Sequence, residues 1–348
     1  MEMILQQLII TRPDDWHVHF RDGVVLNDTV KATSSQFARA LVMPNLKPAL
    51  TSLTSLLSYY ERIQAAIPKD QTFQPFMTFF LNENLKAQDL IASKHYPFIL
   101  GAKLYPSGVT THSQEGTADI KKLYPLLDCM QEQELVLQIH GECTEGDIFE
   151  RESLFLTEEL QPILKNFPRL RIVLEHISTK RAVDFVKESS PLLAATITAH
   201  HLLYNRNQLL AGNIRPHYYC LPILKRASDQ KALQEAAVSA NPKFFAGTDS
   251  APHARHQKET AHGCAGVYSA PFAIPYYAEI FDRLEELEKL NSFLSVFGAQ
   301  FYQQNINLSE LLLEKKSQRI PETLPLGTEE VVPLAAGESL RWSCSYGS

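Results

Sequence analysis

His17 and His19 stand one residue apart in the run DWHVHF. If that run is a strand, its period-two alternation puts both imidazoles on one face. Two neutral imidazoles from one strand can share a zinc ion. Taken alone, the pair is equally well read as two hydrogen-bonded core histidines. His140 and His176 shift the balance, because each closes an apolar run (LVLQIH, RIVLEH) where an unpartnered imidazole is awkward to bury. Lys103 in GAKLYP is the sharpest single signal. A lysine inside an apolar strand is expensive unless neutralised or paired, and burial lowers its pKa. The free amine so exposed can take up carbon dioxide, giving a carbamate whose two oxygens bridge two cations. The plainer alternative is a lysine whose stem lies along apolar surface while its ammonium reaches water. Asp249 in FFAGTDSAPH can ligate a metal and still exchange a proton with a substrate. Alternatively, its Thr-Asp-Ser run caps a following helix.

Together, His17, His19, Lys103, His140, His176 and Asp249 supply a two-metal site. Two divalent cations outweigh a carbamate, a carboxylate and a bridging hydroxide, so the centre stays positive and favours an anionic substrate. Imidazole and carboxylate ligands suit Zn²⁺, with Mn²⁺ or Co²⁺ as substitutes. His95, His112 and His256 lie in polar surroundings and read as surface residues. His200 and His201 end a strand-like run without a metal-spaced partner, and His217 and His262 take no role from the sequence. Dinucleotide, phosphate-loop and Gly-x-Ser-x-Gly patterns are missing.

The elements that must position these residues are legible as eight β-rich runs. They are Asp15–Phe20, Ala40–Asn45, Phe73–Asn82, Ile99–Pro106, Leu135–Glu142, Arg171–Ser178, Ala194–Leu202 and Phe244–His253. Helix-like segments such as Ser52–Ala66, Thr117–Gln133 and Leu224–Val238 lie between them. Eight alternating βα units predict an α/β fold, a (β/α)8 TIM barrel, whose chemistry sits at the C-terminal strand ends. The candidate ligands fall at those ends. The chain is expected to form one domain over 1–348, with 307–348 as a C-terminal extension packed outside the barrel. Its 348 residues, 45% hydrophobic and 21% charged, suit a large single core. A net charge of −6 gives no basic footprint for nucleic acid. Five cysteines without a CxxC pair favour a reducing compartment. The start MEMILQQLIITRPDD has no basic leader, and no apolar run reaches the ~18 residues that span a bilayer. The expectation is therefore a cytoplasmic protein with neither membrane nor nucleic-acid partners.

The segments DWHVHFRDG, VMPNL, GAKLYPSGVTT, LQIHGE, LEHIS, NIRPHYYCLPILKR and GTDSAPHARHQKE…GCAG occur in order from about Asp14 to Ala270. This series resembles the short, single-function bacterial dihydroorotases of the amidohydrolase superfamily. The resemblance implies a zinc-dependent cyclic amide hydrolase that interconverts N-carbamoyl-L-aspartate and L-dihydroorotate in pyrimidine biosynthesis, as a homodimer. It implies that His17, His19 and Asp249 hold the more buried of two Zn²⁺ ions and His140 and His176 the second, bridged by carboxylated Lys103. Asp249 would also be the catalytic proton carrier. Arg21, Asn45 and His253 would clamp the substrate carboxylate, and backbone groups of Leu221 and Ala265 would read the ring edge. Thr110 and Thr111 would touch substrate from a mobile lid at 107–116, a stretch whose composition by itself says only flexible loop. The resemblance weakens after Ala270, and fewer cysteines surround GCAG than in relatives.

Overall fold

Each apolar run becomes a short strand buried on both faces, as a parallel sheet inside a ring of helices requires. A computed structural model describes residues 7–345. The first six residues of the start read above, and the last three of the expected extension, lie outside that range. The strands are β1 (Asp14–Val18), β2 (Arg39–Val42), β3 (Gln74–Leu81), β4 (Ile99–Leu104), β5 (Val136–His140), β6 (Ile172–Glu175), β7 (Leu193–Ile197) and β8 (Phe244–Ala246). They pair in parallel in sequence order. A bridge between Val18 and Ser250 brings β8 back to β1, with Asp249 N donating to His17 O at 2.8 Å and His19 N to Ser250 O at 3.0 Å. The architecture is a (β/α)8 barrel.

One residue from every strand forms the packed interior: Trp16, Leu41, Phe76, Leu100, Val136, Val173, Ala194 and Phe245. Trp16 stacks between Phe76 and Tyr302, with centroids 5.9 and 4.5 Å away, and closes the floor. The helix Phe297–Phe301 lies against it so closely that a Cβ on Gly298 would come 2.1 Å from the indole Nε1.

Two irregularities re-aim side chains toward the mouth. Between Asp15 and Val18, β1 advances three residues while β2 advances two (Ala40 to Val42). Such a bulge breaks alternation, so the consecutive Trp16 and His17 can both face inward. In β4 the pairing steps from Ile99 to Gly101 while β3 moves only from Met77 to Thr78. Ala102 and Leu104 then pack into the outer core, leaving fully buried Lys103 on the inner face.

Every observed strand stops short of its sequence-based end, because the functional loops continue in strand-like composition. Ala194–Leu202 illustrates this: the strand ends at Ile197, and Thr198 caps a helix over Ala199–Leu203 through its side chain. The segment Gln7–Thr11 is an additional strand, paired antiparallel with Glu310–Glu314, which pairs in turn with Ser343–Ser345. The hairpin of Leu324–Leu326 and Glu329–Val331 packs Leu326 and Val331 against Tyr268 and Ala270. No described helix is long and apolar enough to cross a membrane.

Candidate metal centre and substrate cavity

At the C-terminal mouth four imidazoles converge. Ring centroids of His17 and His19 are 5.2 Å apart, of His17 and His176 5.0 Å, and of His140 and His176 4.7 Å. Nε2 of His17 lies 3.3 Å from Nε2 of His19, and both face one Asp249 carboxylate oxygen, at 3.4 and 3.1 Å. His17, His176 and Asp249 offer ligand atoms that all lie within 4.8 Å of one another. Lone pairs aimed at a common point at these separations suit a cation about 2 Å from each. Asp249 at φ +46° and His176 at φ +40° are held in the left-handed region. Strain of this kind persists only where the surroundings over-determine it.

Lys103 lies beneath this cluster, fully buried, with Nζ 5.1 Å from the Tyr105 ring centroid. Its amine has no hydrogen-bond partner among the described residues. Burial lowers its pKa to about 8, against the opposing pull of Glu175 and Asp249. An orphaned, partly neutral amine beside metal-type ligands fits a group that gains its partners on carboxylation and metal binding. Burial likewise lowers His19 to about 4 and His176 well below the ordinary imidazole range, so both present lone pairs at neutral pH. At Asp249 burial works against the charge, but the His19 hydrogen bond and the imidazoles of His176, His17 and His19 outweigh it. The carboxyl is held well below its usual range.

Outer partners fix the rings. Nδ1 of His17 meets Glu175 at 2.8 Å, and the same carboxylate oxygen accepts from Thr196 Oγ1 at 2.6 Å. Nδ1 of His19 donates to Asn45 Oδ1 at 2.7 Å, and Nε2 of His140 meets Glu142 at 2.8 Å. Carboxylates and amides in these positions set the tautomer and strengthen the ligand. Sequence reasoning missed Glu175 and Glu142. The available signal was a buried carboxylate adjoining a ligand histidine, in LEHIS and in LQIHGE.

A narrow cavity opens over the cluster. Its wall includes His17, His19, His140, His176 and Asp249 together with Arg21, Asn45, Thr110, Thr111, Leu221 and Ala265. Lys103 and His253 are not part of this wall. His253 faces the adjoining outer cavity, shared with Lys47, His112, Leu326 and Glu329. His112, read as a surface residue, is half-buried there. Arg21 reaches His253 Nε2 with Nη2 at 3.1 Å and donates Nε to Pro252 O at 3.2 Å. Burial, then the Arg21 charge, lowers His253 to about 2, so it is a neutral acceptor. Asn45 is engaged at both ends, because Nδ2 donates to Thr111 O at 3.1 Å. Thr111 Oγ1 donates to Ala265 O at 3.1 Å, which latches the 107–116 loop across the mouth.

Lys258 is a further residue that the sequence did not single out. Its buried ammonium donates to the carbonyls of Tyr219 at 3.1 Å, Cys264 at 3.0 Å and Gly266 at 2.5 Å, tying together the loops that carry Leu221 and Ala265.

No protein-family model matches the chain. It is 52% identical over 340 residues to a dihydroorotase of Coxiella burnetii, covering 97% of this chain and 98% of that protein. It is 53% identical over 337 residues to one of Aliivibrio fischeri, covering 96% and 98%. Among solved structures, it is similar to the Saccharomyces cerevisiae dihydroorotase in complex with 5-fluoroorotic acid. There the TM-score is 0.91 at 35% identity, over 98% of this chain and 99% of that one. The Arthrobacter aurescens L-hydantoinase shares the fold at 13% identity, with a TM-score of 0.79 over 97% of this chain and 83% of that one. Identity above one half across nearly the whole length of both chains leaves one assignment: the chain belongs to the dihydroorotase family.

Proposed function

We propose that, in the dihydroorotase reaction of pyrimidine biosynthesis, the chain holds two divalent cations with His17, His19, Lys103, His140, His176 and Asp249. The reaction is the reversible cyclisation of N-carbamoyl-L-aspartate to L-dihydroorotate. The observation that carries the residue assignment is the unpartnered, fully buried amine of Lys103 beneath four converging imidazoles. His17, His19 and Asp249 would hold one cation and His140 and His176 the other, with carboxylated Lys103 as a ligand shared between them. Zinc suits these ligands, and Mn²⁺ or Co²⁺ can replace it. When bound, the pair supplies Lewis acidity, which makes water available as a nucleophile near neutral pH and polarises an amide carbonyl.

The chain's own groups do the rest. In hydrolysis Asp249 takes a proton from the attacking water and delivers it to the departing ring nitrogen. In cyclisation it takes the proton from the ureido nitrogen, as the C–N bond forms, and gives it to the departing carboxylate oxygen, which takes one further proton from solvent to end as water. Arg21 fits the free carboxylate, because a planar guanidinium binds it bidentately, and neutral His253 orients that fork. Asn45 joins the clamp when Thr111 O gives up its Nδ2. Backbone groups of Leu221 and Ala265 read the polar edge of the ring. Thr110 and Thr111 close over it and exclude water. The working form is a cytoplasmic homodimer of a single barrel domain, with 307–348 as its extension. Five unpaired cysteines accord with a reducing compartment.

The test combines metal content with turnover of L-dihydroorotate in wild type, Lys103→Ala and Asp249→Asn, with bicarbonate present. Lys103→Ala is expected to lose metal and turnover together. Asp249→Asn should lower turnover at least ~10²-fold, as loss of a general acid–base does. A Lys103→Ala protein with full metal and near-normal rates would remove the bridging role.

A further inference from the structure

Behind the wall of the cavity lies a second cluster of soft and imidazole donors. His200, His201 and Cys220 offer ligand atoms that all lie within 4.8 Å of one another, and all three residues are buried. None of them lines the substrate cavity, although Leu221, next to Cys220 in the chain, does. The sequence gives no hint of this grouping, because the histidines follow β7 while the cysteine arrives some twenty positions later, in the loop before β8.

Nothing in the mechanism uses these groups, and one of them is chemically incomplete. His200 is 1% exposed, and neither ring nitrogen has a hydrogen-bond partner among the described residues. Buried polar groups are nearly always paired, so an imidazole with both nitrogens bare calls for a ligand. His201 is already oriented. Thr198 Oγ1 lies 2.8 Å from its Nδ1, and Pro222 O lies 3.0 Å from its Nε2. As it stands, Nε2–H donates to Pro222 O and Nδ1 accepts from the Thr198 hydroxyl. A cation at Nε2 would take the place of that proton, which moves to Nδ1 and is donated to Thr198. This is the outer-partner arrangement that fixes metal-binding histidines. Cys220 Sγ approaches the same Pro222 carbonyl at 3.3 Å, so sulfur and imidazole converge on one point.

We propose that His200, His201 and Cys220 bind a thiophilic d-block cation of the Zn²⁺ class, at a site separate from the catalytic pair. Two imidazoles and a thiolate are a ligand set that zinc-like ions accept, and they would fill three of four tetrahedral positions, the fourth taken by water. Binding displaces the thiol proton, which leaves for solvent, and the cation takes the sulfur lone pair. The ion ties the helix Ala199–Leu203 to the Cys220–Pro222 turn. It thereby stiffens the backbone that presents Leu221 to the substrate cavity. Loading accompanies folding or local opening, because the cluster is closed to solvent.

Cobalt titration of the metal-stripped full chain tests this. Thiolate ligation to Co²⁺ gives a sulfur-to-metal charge-transfer absorption, which the sulfur-free catalytic ligands cannot produce. The expected result is a charge-transfer band whose final intensity matches one thiolate-bound cobalt per chain, reached by the time three equivalents are bound, and which vanishes in Cys220→Ser. His200→Gln should weaken cobalt binding at this band by more than the roughly 10–100-fold that follows loss of an outer partner. In both variants the visible ligand-field absorption of cobalt at the catalytic centre should persist, which separates failure here from failure of the catalytic assignment. Circular dichroism identifies a variant that has not folded, and the other then decides. No charge-transfer band in wild type, a band that survives Cys220→Ser, or one with unchanged affinity in His200→Gln would overturn the site.

Discussion

His17 is gripped from both sides: Nε2 faces Asp249 and Nδ1 meets Glu175. Removing the charge of Glu175 leaves the ligand set intact but loosens the tautomer and lowers the basicity of His17. Glu175→Gln is therefore expected to weaken metal affinity about 10–100-fold, measured by competition with a chelator. Unchanged affinity would reduce Glu175 to a packing residue. This is also the scale at which the reach and the limits of the sequence are plainest. His140, His176 and Lys103 were visible because a polar side chain in an apolar run demands a reason. Glu142 and Glu175 stand beside those histidines, but which ring nitrogen each one meets depends on strand geometry that spacing does not carry. Asn45, expected at the substrate carboxylate, is first of all the partner of His19 and of the Thr111 carbonyl.

Strand count and order were legible for a similar reason, since eight apolar runs punctuated by polar ends leave little choice of architecture. The bulges in β1 and β4 were not legible, because an added residue in a strand leaves its composition unchanged. Nor was the pairing of Gln7–Thr11 with Glu310–Glu314, which joins the two ends of the chain and has no local periodic signal. Between elements, Lys258 has the clearest measurable task. Its short helix, Arg255–Lys258, places one ammonium under three loop carbonyls. Lys258→Met fills the space but leaves those acceptors bare, at about 1–3 kcal/mol of stability by the usual penalty for unsatisfied groups. KM for dihydroorotate should rise more than kcat falls, since in the proposed site these carbonyls position Leu221 and Ala265, assigned to substrate binding and not to the metal ligands. Denaturant unfolding and steady-state kinetics check both halves, and a pure kcat loss would contradict the positioning role.

The whole molecule carries a net charge of −6, so attraction of an anionic substrate has to be local, and the proposed site puts it at Arg21 and the metal centre. The barrel buries several imidazoles in their neutral form, which makes its stability depend on pH. Burial lowers His200 to about 4, and burial with the neighbouring His200 lowers His201 to about 3, from an ordinary value of 6.5. The unfolded chain takes up these protons near pH 6.5 and the folded chain does not. Stability is therefore complete above that pH and is lost as the pH falls toward the folded values. Near pH 5 these two groups alone give a slope of roughly 2.5 kcal/mol per pH unit. Denaturant midpoints of the metal-stripped protein should fall between pH 7 and 5, and His200→Gln should remove about half of that slope. A midpoint flat across this range would mean that the imidazoles are already protonated or hydrated in the fold, which is incompatible with their burial behind the cavity wall.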